Sequence, residues 1–322
     1  MGVLPFLGAA ATAGVDEAGF VPIGGIDQWI AVRGARADAP LMLFLHGGPG
    51  EALSPFPELF TPFQQDFTVA VWDQRGAGKT YGRSGRRDTP GMEPDRFLAD
   101  GIEVAEHLRR RFNKAKVLLV GHSWGAALGG RMAKARPDLF HAFVGTGQPV
   151  STKETVLGEE RYAREVYQRA GDAEHLKALD AVAALPFTDP KRRFATRPVL
   201  FGADDKRYLA REEAFMGPKP WPTTGEIGDW IGGFGFTSEV LVPKILSVDV
   251  IDQVGLDLAL PVVVIQGRDD LICPTEAAHR YLDQIRAPAK AYAEIPGGHF
   301  ACFTAPEAFL AALVQHVRPL CT

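Results

Sequence analysis

The sequence contains few cysteines and no long apolar run. Its three cysteines are too few, and odd in number, for a disulfide framework, which favours a reduced, cytoplasmic protein. No apolar stretch reaches the roughly 18 residues that a transmembrane helix needs. Residues 3–14 are apolar, but no lysine or arginine precedes them, whereas a secretory signal begins with basic residues. We therefore interpret this segment as an N-terminal arm.

An excess of positive charge is also missing. The 35 lysines and arginines are balanced by 39 aspartates and glutamates, a net charge of −4, which argues against binding to nucleic acid or to an anionic membrane. Cys-x-x-Cys is absent, and no two histidines lie at metal-ligand spacing beside a carboxylate. Residues 76–80 faintly match a P-loop, but that pattern requires glycine at the position of Asp73. The sequence thus predicts a protein that needs no metal and no cofactor.

Short β-rich runs alternate with helical stretches, which is typical of an α/β fold. Several of the runs are almost wholly apolar, as are the strands of a parallel sheet that is covered on both faces. Eight strands are predicted at 19–25, 27–33, 41–46, 67–73, 116–121, 141–146, 261–267 and 289–295, and helices at 97–112, 124–135, 275–286 and 305–318.

One stretch breaks this alternation. From about 149 to 245 the sequence is helical or irregular and rich in charge, and proline and glycine crowd residues 217–235. A connection of that length is too long for a loop in a compact domain. We therefore expect a core domain made of residues 1–148 and 246–322, with residues 149–245 inserted as a mainly helical cap.

The strongest chemical signal is Gly121-His122-Ser123-Trp124-Gly125, which fits the pattern Gly-x-Ser-x-Gly. It lies between an apolar strand and a helical stretch, the setting of a nucleophile elbow. Such a turn is too tight for side chains at Gly121 and Gly125, and it lifts the Ser123 hydroxyl above the sheet. It also leaves the backbone N–H of Trp124 at a helix N-terminus, where it can face negative charge. The motif predicts that Ser123 is a nucleophile.

A serine hydroxyl becomes a strong nucleophile only when a base takes its proton. In this type of fold the chain order is serine, then an acid, then histidine. One late strand is followed by Asp269 and Asp270, and the next by a loop that contains His299. We predict a catalytic triad of Ser123, His299 and Asp270, with Asp269 as the alternative acid.

Glycines also follow the strand at 41–46, in the sequence HGGPG at 46–50. Because glycine has no side chain, the backbone there can approach a substrate oxygen and offer it an N–H. Together with the N–H of Trp124, this predicts an oxyanion hole with two donors. Gly48 is the first choice for the second donor, and Gly47 is the alternative.

Five short motifs follow one another along the chain: HGGPG at 46–50, DQRGAG at 73–78, GHSWG at 121–125, GRDD at 267–270 and GGH at 297–299. In combination they resemble the proline iminopeptidase family of α/β-hydrolases. The resemblance implies an α/β-hydrolase sheet with a mostly helical cap. It also implies a serine hydrolase that removes an N-terminal proline or another small residue from short peptides, although relatives of the family are esterases or amidases.

The predicted cap departs from that family in one respect. Many prolyl members carry a Trp-x-x-Trp-Glu run there, whose glutamate helps to bind the free amino terminus of the substrate, and no Trp-x-x-Trp occurs here. A buried ammonium group still needs a carboxylate partner. The cap contains candidates for that anchor and for an apolar pocket wall, which could equally be surface charges and packing residues: Glu212, Glu213, Glu226, Glu239, Trp221, Trp230, Phe234 and Phe236.

The sequence therefore predicts a serine hydrolase that works through an acyl-enzyme on a small molecule or short peptide. Two substrate classes stay open, an aminopeptidase acting on peptides or amides and a carboxylesterase or lactonase acting on small esters. A non-catalytic binding protein of the same fold is a third alternative. Epoxide hydrolases and dehalogenases need a carboxylate at the elbow, which Ser123 excludes. A cap carboxylate directed toward Ser123 would favour the aminopeptidase.

Overall fold

A computed structural model describes residues 13–187, 189, 191–192, 195, 224–246 and 249–321. The strands are β1 Val15–Ile23, β2 Ile26–Gly34, β3 Leu41–Leu45, β4 Thr68–Trp72, β5 Val117–His122, β6 Phe140–Thr146, β7 Val262–Gly267 and β8 Lys290–Ile295. They form one eight-stranded sheet in the order β1-β2-β4-β3-β5-β6-β7-β8. Strands β3 to β8 are mutually parallel, whereas β1 and β2 are antiparallel to their neighbours. The carboxyl ends of the six parallel strands therefore share one edge of the sheet.

Helices cover both faces of this sheet. The described helices are α1 Gly78–Arg83, α2 Pro94–Arg111, α3 Trp124–Ala135, α4 Thr152–Ala170, α5 Ala173–Ala183, α6 Thr224–Ile245, α7 Val250–Val254, α8 Thr275–Gln284, α9 Ala301–Thr304 and α10 Pro306–His316. Over the described ranges, none of them combines the length and the apolar character needed to cross a membrane.

Strand β3 shows how the two layers arise from one apolar run. Successive side chains of a strand point to opposite faces of the sheet. Leu41, Leu43 and Leu45 belong to the cluster that α2, α3 and α8 complete, whereas Met42 and Phe44 belong to a second cluster with α9 and α10. All five residues are buried, and burial of each such side chain contributes about 1.5–3 kcal/mol. The strand ends are thus held firmly from both sides.

The eight strands expected from the sequence are confirmed. The one clear difference is that β1 begins at Val15 rather than at residue 19, because its pairing with β2 extends to Gly34. The hairpin turn lies at Gly24 and Gly25, whose φ angles are 56° and 79°. Two successive positive φ angles are those of the turn that best matches strand twist, and glycine adopts them without strain.

The described residues between β6 and β7 are mainly helical, as expected of an inserted cap. Helix α4 begins after Ser151, whose hydroxyl accepts the N–H of Glu154, and it ends at Gly171, which has a φ of 67°. Helix α6 lies on the core beside α1. The exact bounds of the cap, residues 149–245, remain a prediction.

Candidate active site

Ser123 lies in a strained turn between β5 and α3. Its backbone has φ 55° and ψ −120°, a region that residues other than glycine rarely adopt. A Cβ atom on Gly121 would lie 2.2 Å from the carbonyl oxygen of Gly125, and one on Gly125 would lie 2.2 Å from that of Leu45. Only glycine fits at these two positions. The turn therefore has the close packing between strand and helix that the motif predicts.

Two hydrogen bonds connect Ser123, His299 and Asp270 in series. Nε2 of His299 lies 2.9 Å from Oγ of Ser123, and Nδ1 lies 3.0 Å from Oδ2 of Asp270. His299 follows β8 and Asp270 follows β7, so the shared edge of the parallel strands brings them together. His299 and Asp270 are each only 4% exposed. Because the carboxylate accepts the Nδ1–H, the Nε2 atom is directed to receive a proton from the serine.

Asp270 is held by donors that replace its lost hydration. Its Oδ1 accepts the backbone N–H groups of Ile272 at 2.9 Å and Cys273 at 2.8 Å, and its Oδ2 accepts the side-chain amide of Gln266 at 2.8 Å. Such bonds compensate the burial of a carboxylate. Asp269, by contrast, is exposed. The fold thus brings Asp270, and not Asp269, to the imidazole.

Two neighbours of His299 were not singled out by the sequence analysis. His122 is 1% exposed, and its Nε2–H donates to the carbonyl oxygen of His299 at 2.9 Å. Gly147 follows β6 with a φ of 52°, and a Cβ atom there would lie 2.9 Å from Cε1 of His299. Both residues support the position of the imidazole. Their signal in the sequence was their location at the carboxyl end of a strand.

The glycine loop after β3 borders the same site. The backbone N–H of Glu51 donates to the carbonyl of Gly47 at 3.3 Å, which closes the turn. Gly48 has a φ of 107° and lines the cavity beside Ser123, whereas Gly47 is not among the lining residues. A Cβ atom on Gly47 would instead lie 2.9 Å from Nδ1 of His122. Of the two candidate donors, Gly48 is the one next to the cavity.

His46 and Gln74 connect this loop to the elbow. The Nδ1–H of His46 donates to the carbonyl of Gly47 at 2.9 Å, and its Nε2 accepts the backbone N–H of Gln74 at 3.2 Å. Burial lowers the pKa of His46 to about 4, because an imidazolium there would lose its hydration. The side-chain oxygen of Gln74 accepts the indole N–H of Trp124 at 2.9 Å. A neutral histidine and a side-chain amide therefore hold the glycine loop and the elbow in fixed positions relative to each other.

Asp73, at the end of β4, is a second buried carboxylate near the site. Its Oδ2 accepts the hydroxyl of Ser54 at 2.7 Å and the backbone N–H of Lys79 at 2.9 Å. Its Oδ1 is buried with no hydrogen-bond partner among the described residues. Burial raises the pKa of Asp73 to about 6, although the two hydrogen bonds act in the opposite direction. This carboxylate therefore binds the first turn of α1 and is not a member of the proposed triad.

Ser123 borders a cavity of about 320 Å³, within the size range of small-molecule sites. One side of the cavity is formed by loops at the strand ends and the other by residues of the insertion. The described lining includes many apolar side chains, among them Ala127, Val150, Phe234, Val242, Ile245, Leu246, Val250, Ile272 and Phe300. The cavity therefore offers a mainly apolar surface beside the Ser123 hydroxyl.

The candidates for substrate binding have different positions. Glu212, Glu213 and Trp221 lie outside the described residues. Trp230 is not among the cavity-lining residues, because its indole N–H donates to the carbonyl of Ala52 at 2.8 Å and its ring packs edge-on against Phe56. The alternative in which Trp230 serves packing is the one that the geometry favours.

Of the remaining cap candidates, one lines the cavity and three make contacts outside it. Glu226 pairs with Lys79, and Glu239 lies 2.9 Å from Arg87 at the surface, so neither carboxylate lines the cavity. Phe234 does line it, whereas Phe236 packs against Tyr81 with ring centroids 5.7 Å apart. Within the described part of the insertion, α6 thus supplies apolar wall and surface ion pairs.

Within the described part of the chain, no three side chains of histidine, cysteine, aspartate or glutamate are grouped so that they could hold a metal ion. The three cysteines form no disulfide, and Cys273 and Cys302 are buried.

Comparison with known proteins agrees with this architecture. Residues 40–306 match the family described as the alpha/beta hydrolase fold. The chain belongs to the α/β-hydrolase family. This hydrolase is 28% identical to the probable aminopeptidase YbaC of Bacillus subtilis over 308 residues, which cover 92% of this chain and 94% of that protein. It is 25% identical to the proline iminopeptidase of Saccharolobus solfataricus over 260 residues, covering 76% and 80% of the two chains. The resemblance to proline iminopeptidases is confirmed.

Solved structures support the fold. The proline iminopeptidase of Mycobacterium smegmatis matches this hydrolase with a TM-score of 0.68 at 21% identity, over 95% of this chain and 99% of that chain. An epoxide hydrolase from Bacillus megaterium matches with a TM-score of 0.56 at 17% identity, over 92% and 99%. At these identities the likeness concerns the fold alone. The α/β-hydrolase sheet with a helical insertion, expected from the sequence, is confirmed.

Proposed function

We propose that this α/β-hydrolase is a serine hydrolase of the aminopeptidase type, which releases an N-terminal residue from short peptides or amides through an acyl-enzyme. The observation that carries the proposal is the series of hydrogen bonds of 2.9 and 3.0 Å from Ser123 through His299 to Asp270. Ser123 and His299 line a mainly apolar cavity whose volume suits a small molecule. The low cysteine count favours the cytoplasm as the compartment.

In the first half of the proposed reaction, Oγ of Ser123 attacks the substrate carbonyl carbon while Nε2 of His299 takes the hydroxyl proton. Asp270 orients the imidazole and stabilises its charged form. Collapse of the tetrahedral intermediate breaks the bond to the amine or alcohol, which leaves with the proton from His299. Water then attacks the acyl-enzyme with His299 as its base, and the acid product is released from Ser123.

The backbone N–H groups of Trp124 and Gly48 are the proposed donors to the oxyanion. Trp124 is the first residue of α3, and the first N–H groups of a helix have no partner within it. Gly48 lines the cavity together with Ser123. Gly47 receives less support, because it does not line the cavity and a Cβ atom on it would lie 2.9 Å from Nδ1 of His122. Loss of one such donor typically lowers the rate by roughly 10²–10³-fold.

The aminopeptidase assignment draws on the relatives named probable aminopeptidase and proline iminopeptidase. A carboxylesterase remains the second candidate, since the same triad and apolar cavity would accept a small ester. Epoxide hydrolysis is not proposed despite the similar fold, because the elbow presents a serine and not a carboxylate. The aliphatic wall of the cavity favours a substrate whose acyl group is apolar.

The test is a paired assay with proline and alanine p-nitroanilides beside p-nitrophenyl acetate and butyrate. Turnover should fall by roughly 10⁴–10⁶-fold in Ser123→Ala, with a melting temperature close to that of the wild type. A variant that keeps near-wild-type kcat would contradict the assignment of the nucleophile.

The same assay separates the two substrate classes. Anilide hydrolysis that disappears when the amino group of the substrate is acetylated is the result expected of an aminopeptidase. Hydrolysis of the esters alone would overturn the aminopeptidase assignment and make the protein a carboxylesterase.

A further inference from the structure

Helix α6 of the insertion contacts the core through hydrogen bonds as well as through surface ion pairs. The indole N–H of Trp230 donates to the carbonyl of Ala52 at 2.8 Å, and the hydroxyl of Ser238 donates to the carbonyl of Pro49 at 3.4 Å. Both acceptors lie in the loop after β3 that contains Gly48. Because the acceptors are backbone atoms, these bonds restrain the path of the loop itself.

Thr237 of the same helix lies between two core loops. The residue is 0% exposed, and its hydroxyl donates to the carbonyl of Gly76 at 2.8 Å, in the loop after β4. A Cβ atom on Gly50 would lie 2.8 Å from the Cβ of Thr237, so the side chain also packs directly against the loop after β3. One side chain thus contacts both loops, the first by a hydrogen bond and the second by close packing.

The backbone of α6 approaches these loops closely. A Cβ atom on Gly233 would lie 2.8 Å from the carbonyl oxygen of Gly76, so a side chain at that position would push the helix away. Trp230, Gly233 and Thr237 lie three and four residues apart and therefore share one face of α6. That face is fitted to the backbone of the two loops.

Both loops lead to the proposed oxyanion donors. The first contains Gly48. The second contains Gln74, whose side chain accepts the indole N–H of Trp124 at 2.9 Å and donates to the carbonyl of His46 at 3.2 Å. An oxyanion donor is effective only where its N–H nitrogen lies about 2.7–3.1 Å from the position that the oxyanion will occupy. A small displacement of either loop would therefore weaken the stabilisation of the transition state.

We propose that Thr237, together with Trp230, is a positioning residue that holds these two loops so that the backbone N–H groups of Gly48 and Trp124 meet the oxyanion. The inference rests on the proposed serine hydrolase. It gives the inner face of α6 a part in transition-state stabilisation, although neither side chain touches the reacting atoms.

The experiment measures Thr237→Val, which removes the hydroxyl and keeps the branched shape of the side chain. Because an oxyanion donor acts in the transition state, kcat and kcat/KM for p-nitrophenyl butyrate should fall together by roughly 10- to 100-fold, with KM unchanged. Thr237→Ser keeps the hydroxyl and should recover most of the wild-type kcat. Titration of the active sites with a fluorophosphonate ensures that a loss of folded protein is not counted as a loss of rate.

Thr68→Val is the matched control. Thr68 is 1% exposed, and its hydroxyl likewise donates to a backbone carbonyl, that of Arg36, at 2.8 Å. It is the first residue of β4, at the edge of the sheet opposite the site. Both valine variants remove a donor from a backbone carbonyl and should lower the melting temperature, but only Thr237→Val should lower kcat.

A tetrahedral inhibitor supplies a second readout. An alkyl trifluoromethyl ketone is attacked by the serine hydroxyl and then presents an oxyanion to the two N–H donors. Its Ki should therefore rise in Thr237→Val by the factor by which kcat/KM falls, and should stay at the wild-type value in Thr68→Val.

The outcomes separate the inference from the function on which it rests. A wild-type kcat in Thr237→Val, an equal fall in Thr68→Val, or an unchanged Ki for the ketone would overturn the positioning role. If Thr237→Val fails to fold, Trp230→Phe, which loses only the N–H donor to Ala52 and keeps an aromatic ring, takes its place in the same measurements. Full activity of Ser123→Ala on p-nitrophenyl butyrate would instead overturn the proposed nucleophile and, with it, the inference.

Discussion

The strand-end loops and the insertion helices contribute to the cavity in different ways. The loops supply polar groups that are buried and connected, as in the contact of Asp270 with Gln266 at 2.8 Å. Helix α6 supplies apolar wall, including Val242 and Ile245, and is joined to the core by surface ion pairs. Both partners in the pair between Arg87 and Glu239 are 62% exposed. In the proposed reaction, residues at the strand ends carry out the chemistry, and the insertion shapes the space available to the substrate.

The physical difference lies in what each region loses when a contact is removed. An exposed ion pair contributes about 0–1 kcal/mol, because water replaces the partner. A buried group left without its partner costs about 1–3 kcal/mol or more, since water does not reach it. Substitutions should therefore have large effects in the loops and small effects on the outer face of α6.

Among substitutions that compare the loops with α6, Asp270→Asn should have the largest effect, a loss of catalytic rate. Asparagine keeps the shape but no longer holds the Nδ1–H tautomer of His299, so kcat should fall by roughly 10³–10⁴-fold. Two matched substitutions, Asp269→Asn on the same loop and Glu239→Gln on α6, should leave kcat within about twofold of the wild type. Steady-state kinetics of these variants on p-nitrophenyl butyrate shows whether Asp270 or Asp269 is the acid. A large loss in Asp269→Asn with an active Asp270→Asn would reverse the assignment of the acid.

The next comparison concerns glycines and stability. Gly121→Ala should destabilise the protein by about 3 kcal/mol or more, because its Cβ would lie 2.2 Å from a carbonyl oxygen. Gly228→Ala in α6, where a Cβ would meet no described atom within 4 Å, should stabilise it by about 0.5–1 kcal/mol. Urea unfolding of both variants measures the difference. Equal stability changes would contradict the contrast between the two regions.

The smallest effect is a pH dependence of stability within the core. Asp73 has its pKa raised to about 6, so its contribution is present in acid and is lost as pH rises through 6. His46 has its pKa lowered to about 4, so its contribution is present at neutral pH and is lost as pH falls from its ordinary value of 6.5 toward 4. Between pH 6 and pH 4 the two contributions offset each other.

Asp73→Asn removes one side of that balance. Between pH 7 and pH 4.5, the variant should lose about 2 kcal/mol more unfolding free energy than the wild type, because the loss from His46 is no longer compensated. Denaturant titrations at the two pH values test this. Glu239→Gln on the exposed face of α6 is the control and should follow the wild type. A parallel course for Asp73→Asn would contradict the raised pKa of that carboxyl.

Several features could be predicted because they depend on neighbours in the chain. The apolar run that became β3 indicated a strand covered on both faces, and the glycines around Ser123 indicated a turn without room for a side chain. The choice of Asp270 and His299 as partners of Ser123 instead used the chain order that is typical of this fold. The role of Trp230 could not be predicted, because its contact with Ala52 joins residues far apart in the sequence. The same is true of His122, whose partner is the carbonyl of His299.

The sequence by itself determined the fold family, the turn around Ser123 and the residue types of the proposed triad. These depend on hydrophobic period, turn geometry and short motifs, all of which are local. Only the tertiary structure decided which aspartate meets His299 and which glycine of the loop borders the cavity. Such choices depend on where separate strands end relative to one another, and that is set when the two faces of the sheet are packed.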